Sequence, residues 1–150
     1  MPKNNKILTM DNSIKIGKYI KLILSADKEL LKMVPLNKIC ALKADEGTTY
    51  PFIVYSRTSI SPQYTKDIGG ELGHIDTVQV TVDCHGRTYE ESAEVANEFR
   101  NALEGYGYQN NEIYIDRFRL VSSYETTNGE GDWTQIMVFQ TTTQSRTSLH

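Results

Sequence analysis

With 150 residues and a formal net charge of −3, the chain has one domain's worth of sequence and a mildly acidic balance. That length allows about 68–70% of the unfolded surface to be buried, enough for a real core. The charge gives no general attraction for nucleic acid, which needs a basic face. Two cysteines, Cys40 and Cys84, fit free and mostly buried thiols in a reducing cytoplasm. No apolar run approaches the roughly 20 residues that cross a bilayer, and the N-terminus lacks the basic, apolar, small-residue order of a secretory signal. The expectation is a soluble chain that is not exported.

Residues 1–12 are polar and are expected to be flexible. From Ser13 to Met33, Ile16, Ile20, Ile23, Leu24, Leu30 and Leu31 follow helical spacing, with a break at Ser25-Ala-Asp27 that ends one helix and caps another turn. Lys38 to Lys43 is a short strand candidate. The apolar run Pro51-Phe-Ile-Val-Tyr55 is a second, with Pro51 confined to its start or to an edge because it has no amide to donate. Thr58 to Ile75 carries Pro62, Tyr64, Gly69-Gly70 and Gly73 without sustained periodicity, and reads as a long loop of the kind that is functional or disordered.

Period-two alternation then returns over Thr77–Cys84, with Val78, Val80, Val82 and Cys84 on one face and Thr77, Gln79, Thr81 and Asp83 on the other. The turn His85-Gly86-Arg87 leads into a helix over Thr88–Glu104. Thr88 and Glu91 have capping-box spacing there, and Tyr89, Ala93, Ala96, Phe99 and Leu103 form the apolar stripe before Gly105. Glu112–Glu125 and Trp133–Thr142 read as two strands joined across Asn128-Gly129-Glu130-Gly131. The first changes phase between Ile113/Ile115 and Phe118/Leu120, which predicts a bulge or bend near Asp116-Arg117. The second is apolar on both faces and is expected to be covered on both sides. Residues 143–150 are expected to be a flexible tail. The sum is a single α+β domain over 13–142: an antiparallel or mixed sheet of four to five strands with two main helices packed on one face.

Candidate chemistry is sparse. Cys84 and His85 are adjacent, but neighbours on a strand point to opposite faces, so an inward packing cysteine and an outward turn histidine are expected rather than a nucleophile and base. His74, His85 and His150 lack the paired spacing of a zinc site. Gly69-Gly70-Glu-Leu-Gly73 has neither a following capped helix nor a Lys-Ser or Lys-Thr pair, and so does not cradle phosphate. Glu90, Glu91, Glu94 and Glu98 lie opposite the apolar stripe or favour the helix N-terminus. No catalytic, cofactor-binding or metal-ligating residue is expected. Tyr50, Tyr55 and Tyr64 have the area and polar tip that interfaces use, although Tyr55 fits the core equally well. Arg117 and Arg119, with Asp116 and Glu112, fit either a solvated face or a subunit contact.

The run Tyr50-Pro-Phe-Ile-Val-Tyr55, the long polar loop, the strand ending Val82-Asp-Cys84, the helix from Thr88-Tyr-Glu-Glu to Ala102-Leu-Glu-Gly105, and a closing strand with Phe139-Gln140 resemble the tail-terminator, or tail-completion, proteins of long-tailed bacteriophages. The likeness covers about Ser13 to Gln140, and the order and spacing of the pieces carry it. This sequence departs in its longer Thr58–Ile75 loop and its extended final hairpin. The resemblance implies a structural virion protein that forms a ring, commonly six-fold, on the last disc of tail-tube protein. Such a ring stops polymerisation and joins the head connector or stopper, and DNA passes through it without sequence-specific binding. The place implied is the head–tail junction of the virion, and the host cytoplasm during assembly. No cofactor and no membrane is implied.

A closed ring needs two different patches on each subunit. The expected partner residues are Tyr64, Lys66, Asp67 and Glu71 in the loop, Arg117 and Arg119 on the strand, and Asn128, Glu130 and Asp132 in the hairpin. The loop Ser59–His74 is expected to be mobile in the monomer and to order on the tube end. Two other readings remain: another head–tail joining or adaptor protein on the portal side, and a soluble α+β enzyme or ligand-binding domain, which needs a concave site with convergent polar groups.

Overall fold

The structure, a computed structural model, describes residues 11–63 and 75–146. Its helical segment begins with a 3-10 turn at Ser13–Lys15, followed by α1 (Ile16–Ser25) and α2 (Lys28–Met33). The break falls at Ser25-Ala-Asp27 because the Asp27 carboxylate accepts the Leu30 amide at 3.0 Å and so starts a second helix. Ile16, Tyr19, Ile20, Leu24 and Leu30 are buried. Asp11, within the segment read as a polar N-terminus, is also buried. Its carboxylate takes Lys15 at 3.1 Å, Lys18 at 2.8 Å and the Tyr19 hydroxyl at 2.5 Å, and the hydrogen bond from Lys18, then those from Tyr19 and Lys15, hold its pKa well below the usual range.

A short β1 (Ile39–Ala41) runs parallel to β2 (Phe52–Gln63), and Pro51 stands just before β2, where its missing amide costs no ladder bond. β2 continues well past Tyr55. Its second half, Ser56–Gln63, pairs antiparallel with the first half of β3 (Ile75–Gly86), from Ser56↔Thr81 to Gln63↔Ile75, with a register shift between Arg57 and Ser59. The expected loop is therefore strand at both ends. Serine and threonine dominate this stretch and the bulge resets its phase, so no alternation is visible in the sequence. Tyr64, Lys66, Asp67, Glu71 and the glycine pair lie outside the described residues.

In β3, Val78, Val80, Val82 and Cys84 are fully buried and the intervening residues half-buried, as the alternation predicts. Burial pushes the Cys84 thiol pKa far up, so it stays protonated and inert. Gly86 is required at the end of β3: a Cβ there would lie 2.5 Å from the Ser92 backbone nitrogen in α3 (Tyr89–Leu103). Thr88 caps α3 through the Glu91 amide at 3.1 Å. The Glu91 carboxylate reaches past Thr88 to the Arg87 amide at 2.8 Å, one residue further back than a capping box implies. The buried stripe is Ser92, Val95, Ala96, Phe99, Ala102 and Leu103, so Tyr89 turns outward and Ala93 is half-buried.

The expected strand Glu112–Glu125 is two strands, β5 (Ile113–Ile115) and β6 (Arg119–Thr127), laid end to end along one side of β7 (Trp133–Ser145). Between them Phe118 is buried and exchanges backbone bonds with Gly105 and Tyr106, which produces the phase change. A two-residue β4 (Tyr108–Gln109) pairs with β5. β7 runs to Ser145, three residues past the expected Thr142, because Thr143 to Ser145 still pair with β5 and Thr143 is buried.

The sheet is seven-stranded, in the order β1-β2-β3-β7-β5-β4, with β6 also on β7. The α+β class stands, with more strands than the four to five expected, because the two-residue β4 is too short to read and one expected strand is split into β5 and β6. The helices cover one face, α3 lying on β3 and β7 with Phe99 against Phe139 at 5.9 Å. β7 is covered by helices on one side only: Met137 and Phe139 are buried, whereas Ile136 and Val138 on the other face are half-exposed.

Candidate assembly surfaces

Besides the outer sides of the short end strands β1 and β4, ladder pairing leaves two longer edges of this sheet open among the described residues. β1 covers β2 only from Ile53 to Tyr55, so the outer side of Ser56–Gln63 has no strand beside it. At the opposite flank β6 pairs with β7 alone. Its start is closed off by the bond from the Leu120 amide to the Glu104 carboxylate at 3.0 Å, but Val121–Thr127 faces outward unpaired. No β6 residue is buried, and Val121 and Tyr124 are large exposed apolar side chains. Beside the β2 edge lies a cleft of about 330 Å³ lined by Ile14, Ile16, Leu42 and Tyr55, with Arg57 bridging it through a 2.8 Å bond to the Ile14 carbonyl. Leu42 there has a φ of 70° and is 78% exposed, a leucine held in the left-handed region with its side chain in solvent.

The face away from the helices is laid out in cross-strand rows. Phe52, His85, Thr134 and Thr126 form the first, Val54, Asp83, Ile136 and Tyr124 the second, Ser56, Thr81, Val138 and Ser122 the third, and Gln79 joins Gln140 and Arg119 in the fourth. Asp83 stands between Val54 and Ile136, and burial raises its pKa above the ordinary aspartate value.

At the aromatic end the hairpin is clamped. The Asp132 carboxylate accepts from Thr134 Oγ1 at 2.6 Å and from the Tyr50 hydroxyl at 2.8 Å, and His85 Nδ1 lies 3.1 Å away. His85 stacks on Phe52 at 4.5 Å, and Arg87 lies over the Tyr50 ring at 5.2 Å. Burial pushes the Asp132 carboxyl up, but the hydrogen bonds from Thr134, Tyr50 and His85 outweigh it and hold its pKa below the usual aspartate value. Because the carboxylate only accepts, Nδ1 carries a proton. The group ties β2, β3 and the β6–β7 turn together, and the Thr134 hydroxyl, 3.0 Å from His85 Nδ1, gives its proton to Asp132. His85, expected to point outward from a turn, is thus half-buried in a network.

The proposed contact residues separate by role. Asn128 builds the turn, its Oδ1 accepting from Glu130 at 2.7 Å and from Asp132 at 3.2 Å, and Asp132 is the clamp, which leaves Glu130 displayed at the tip. Arg117 and Arg119 are exposed beside a shallow groove with Asp116 and Gln140. Tyr50 is drawn into the clamp and Tyr55 into the core. Ile14, Leu42, Val121 and Tyr124 were not singled out by the sequence. The signal for the last two is a strand, Arg119–Thr127, with strand-forming residues and no inward-facing alternation. Among the described residues no group of three or more histidine, cysteine or acidic side chains gathers as a metal site, and no helix is long and apolar enough to cross a membrane.

The family model for the tail completion protein gp17 matches residues 20–143, from α1 through most of β7. The chain belongs to that family. Membership in the tail completion protein gp17 family gives it a structural role in phage tail completion, as a component of the virion tail. The fold is shared with solved structures, among them the following two. A chain of the virion of the native gene transfer agent (GTA) particle matches at a TM-score of 0.62 and 12% identity, over 83% of this chain and 91% of that one. The gp17 protein of bacteriophage SPP1 matches at a TM-score of 0.53 and 19% identity, over 87% and 89% of the two chains. No curated protein matches the sequence.

Proposed function

We propose that this tail completion protein forms a closed, six-fold ring on the last disc of tail-tube protein, ends tube polymerisation there and presents the surface that joins the head connector. The observation that carries the reading is the pair of unlike open edges on opposite flanks of one sheet, in a chain of the tail completion family. A heterologous interface that closes by rotation needs two such unlike patches. In this reading the virion site is the head–tail junction, assembly takes place in the host cytoplasm, and DNA passes through the ring. An acidic net charge of −3 suits that passage, since a basic lumen would hold the genome. Tyr64, Lys66, Asp67 and Glu71 are proposed to meet the tube end, on the strength of the sequence alone. Glu130, Arg117 and Arg119 are proposed for the remaining contacts.

Light scattering coupled to negative-stain microscopy, on the protein alone and with purified tube protein, tests this. Rings, or rings appearing only on tube ends, are expected. A persistent monomer indifferent to tubes overturns the capping role and moves the assignment to a head-side adaptor.

A further inference from the structure

We infer that the ring closes by strand addition, the β6 edge of one subunit (Ser122–Thr127) pairing antiparallel with the distal β2 edge (Ser59–Gln63) of the next copy, so that one sheet runs through the whole ring. The inference rests on the ring reading and specifies its interface. Direction is the first argument. β2 is antiparallel to β3, β3 to β7 and β7 to β6, so β2 and β6 run opposite ways at the two flanks. Rotation about a ring axis changes neither an axial nor a radial strand direction. A β6 edge therefore meets the neighbour's β2 edge antiparallel, and the alternation of the sheet continues unbroken across the joint.

The edges themselves are the second argument. Each open stretch is regular only beyond a bulge, the shift between Arg57 and Ser59 in β2 and that between Leu120 and Ser122 in β6, and it is the regular stretches that can ladder. Residues 121–127 contain no lysine and no proline, the residues that blunt the edges of monomeric sheets, and they expose Val121 and Tyr124 instead, whereas the β2 edge includes Pro62, which has no amide to give to an added strand. The pleat restricts the register. Ser59, Ser61 and Gln63 share the open face with Gln79, Thr77 and Ile75, while Ser122, Tyr124 and Thr126 share it with Val138, Ile136 and Thr134. Residues opposite one another must lie on the same face, so the permitted registers differ in steps of two, and the central one sets Ser61 against Tyr124.

Charge is the third. Arg57 stands at the β2 edge, where it reaches the Ile14 carbonyl, while Glu125 lies on β6 and Glu130 is exposed at the tip of the hairpin that follows it. Antiparallel pairing brings the hairpin tip with Glu130 toward the cleft that Arg57 bridges, a carboxylate toward a guanidinium.

The test is cysteine cross-linking of the full chain in a Cys40→Ser background, with Ser61→Cys combined in turn with Ser122→Cys, Tyr124→Cys and Thr126→Cys. Mild oxidation of assembled rings is expected to give, for one of the three pairs, a ladder of covalent oligomers ending at the ring's own size. Each single variant is expected to stay uncross-linked. Rings that assemble but show no ladder with any pair overturn the strand addition and leave the ring reading standing. A Ser61→Cys single variant that yields dimers overturns it too, because like edges then meet. So does amide protection of β6 that appears only with tube protein and without self-association, which gives the edge to the tube. Wild-type protein that remains monomeric even with tubes overturns the ring reading, and this interface with it.

Discussion

β3 and β6 belong to one sheet and draw on the same strand-forming residue types, yet they are used in opposite ways. Among the described residues β3 lies between two neighbours and buries Val78, Val80, Val82 and Cys84 completely, while β6 has one neighbour and no buried residue. Alternation is the mark of a strand whose job is to fold the monomer. Its absence in a long strand of Ser, Thr, Val and Tyr marks a segment that contributes little to the monomer's core and has its backbone groups still to be satisfied.

The sharpest break of this comparison sets the same charge into both strands. Val80→Asp places a carboxylate beside its cross-strand neighbour Phe139, in the core that also holds Phe99, and is expected to abolish the cooperative melt followed by circular dichroism. Tyr124→Asp is expected to move stability by less than about 0.5 kcal/mol in urea titration, while removing rings from negative-stain fields. A large loss of stability at Tyr124 would show that β6 is part of the folding core after all. Gly86→Ala tests how β3 ends. A Cβ within 2.5 Å of the Ser92 nitrogen meets backbone that cannot rotate away, and a cost of about 1–3 kcal/mol is expected from the same titration.

The clamp at the other end of β6 ranks next. Asp132→Ala strands Tyr50 and Thr134 without their acceptor and is expected to cost about 1–3 kcal/mol. The single Trp133, adjacent to the clamp and edge-on to Tyr89 at 6.1 Å, reports it by fluorescence. Because the folded pKa of Asp132 is depressed, its contribution is present above the unfolded value of about 3.9 and is lost as the pH falls below that value through the folded one. Asp132→Asn should flatten the acid limb of the Trp133 signal. Asp83 carries the opposite sign: its pKa is raised by burial, so its contribution fades as the pH rises through the folded value. Asp83→Asn is therefore expected to raise the neutral-pH melting temperature slightly, the smallest of these effects.

The parts of the fold that could be read from the sequence are those where local chemistry and burial agree. The Asp27 and Thr88 caps, the valine ladder of β3 and the bend near Asp116 each have a short-range cause. The distal half of β2 was missed because Ser59 and Ser61 are held by ladder bonds to β3 rather than by buried side chains, and a backbone partner leaves no hydrophobic period. The clamp was missed for a related reason. Tyr50, His85 and Asp132 are far apart in sequence and meet only once β2, β3 and β7 are side by side, so His85 looked like an ordinary turn residue. Glu130 and Arg119 are exposed, whereas the Asn128 and Asp132 side chains are engaged in the turn and the clamp, bonds that the sequence alone does not reveal.

The Ser145 hydroxyl donates to the Asp11 carbonyl at 3.2 Å, so the first and last described parts of the fold touch. Asp11 and Ser145 thus lie at one corner of the described fold. A short linker joining the two ends, with the chain reopened at the exposed Gly129, should therefore give a circular permutant that keeps every sheet contact except the β6–β7 turn. It would also give a way to hang a label from the hairpin tip instead of that corner.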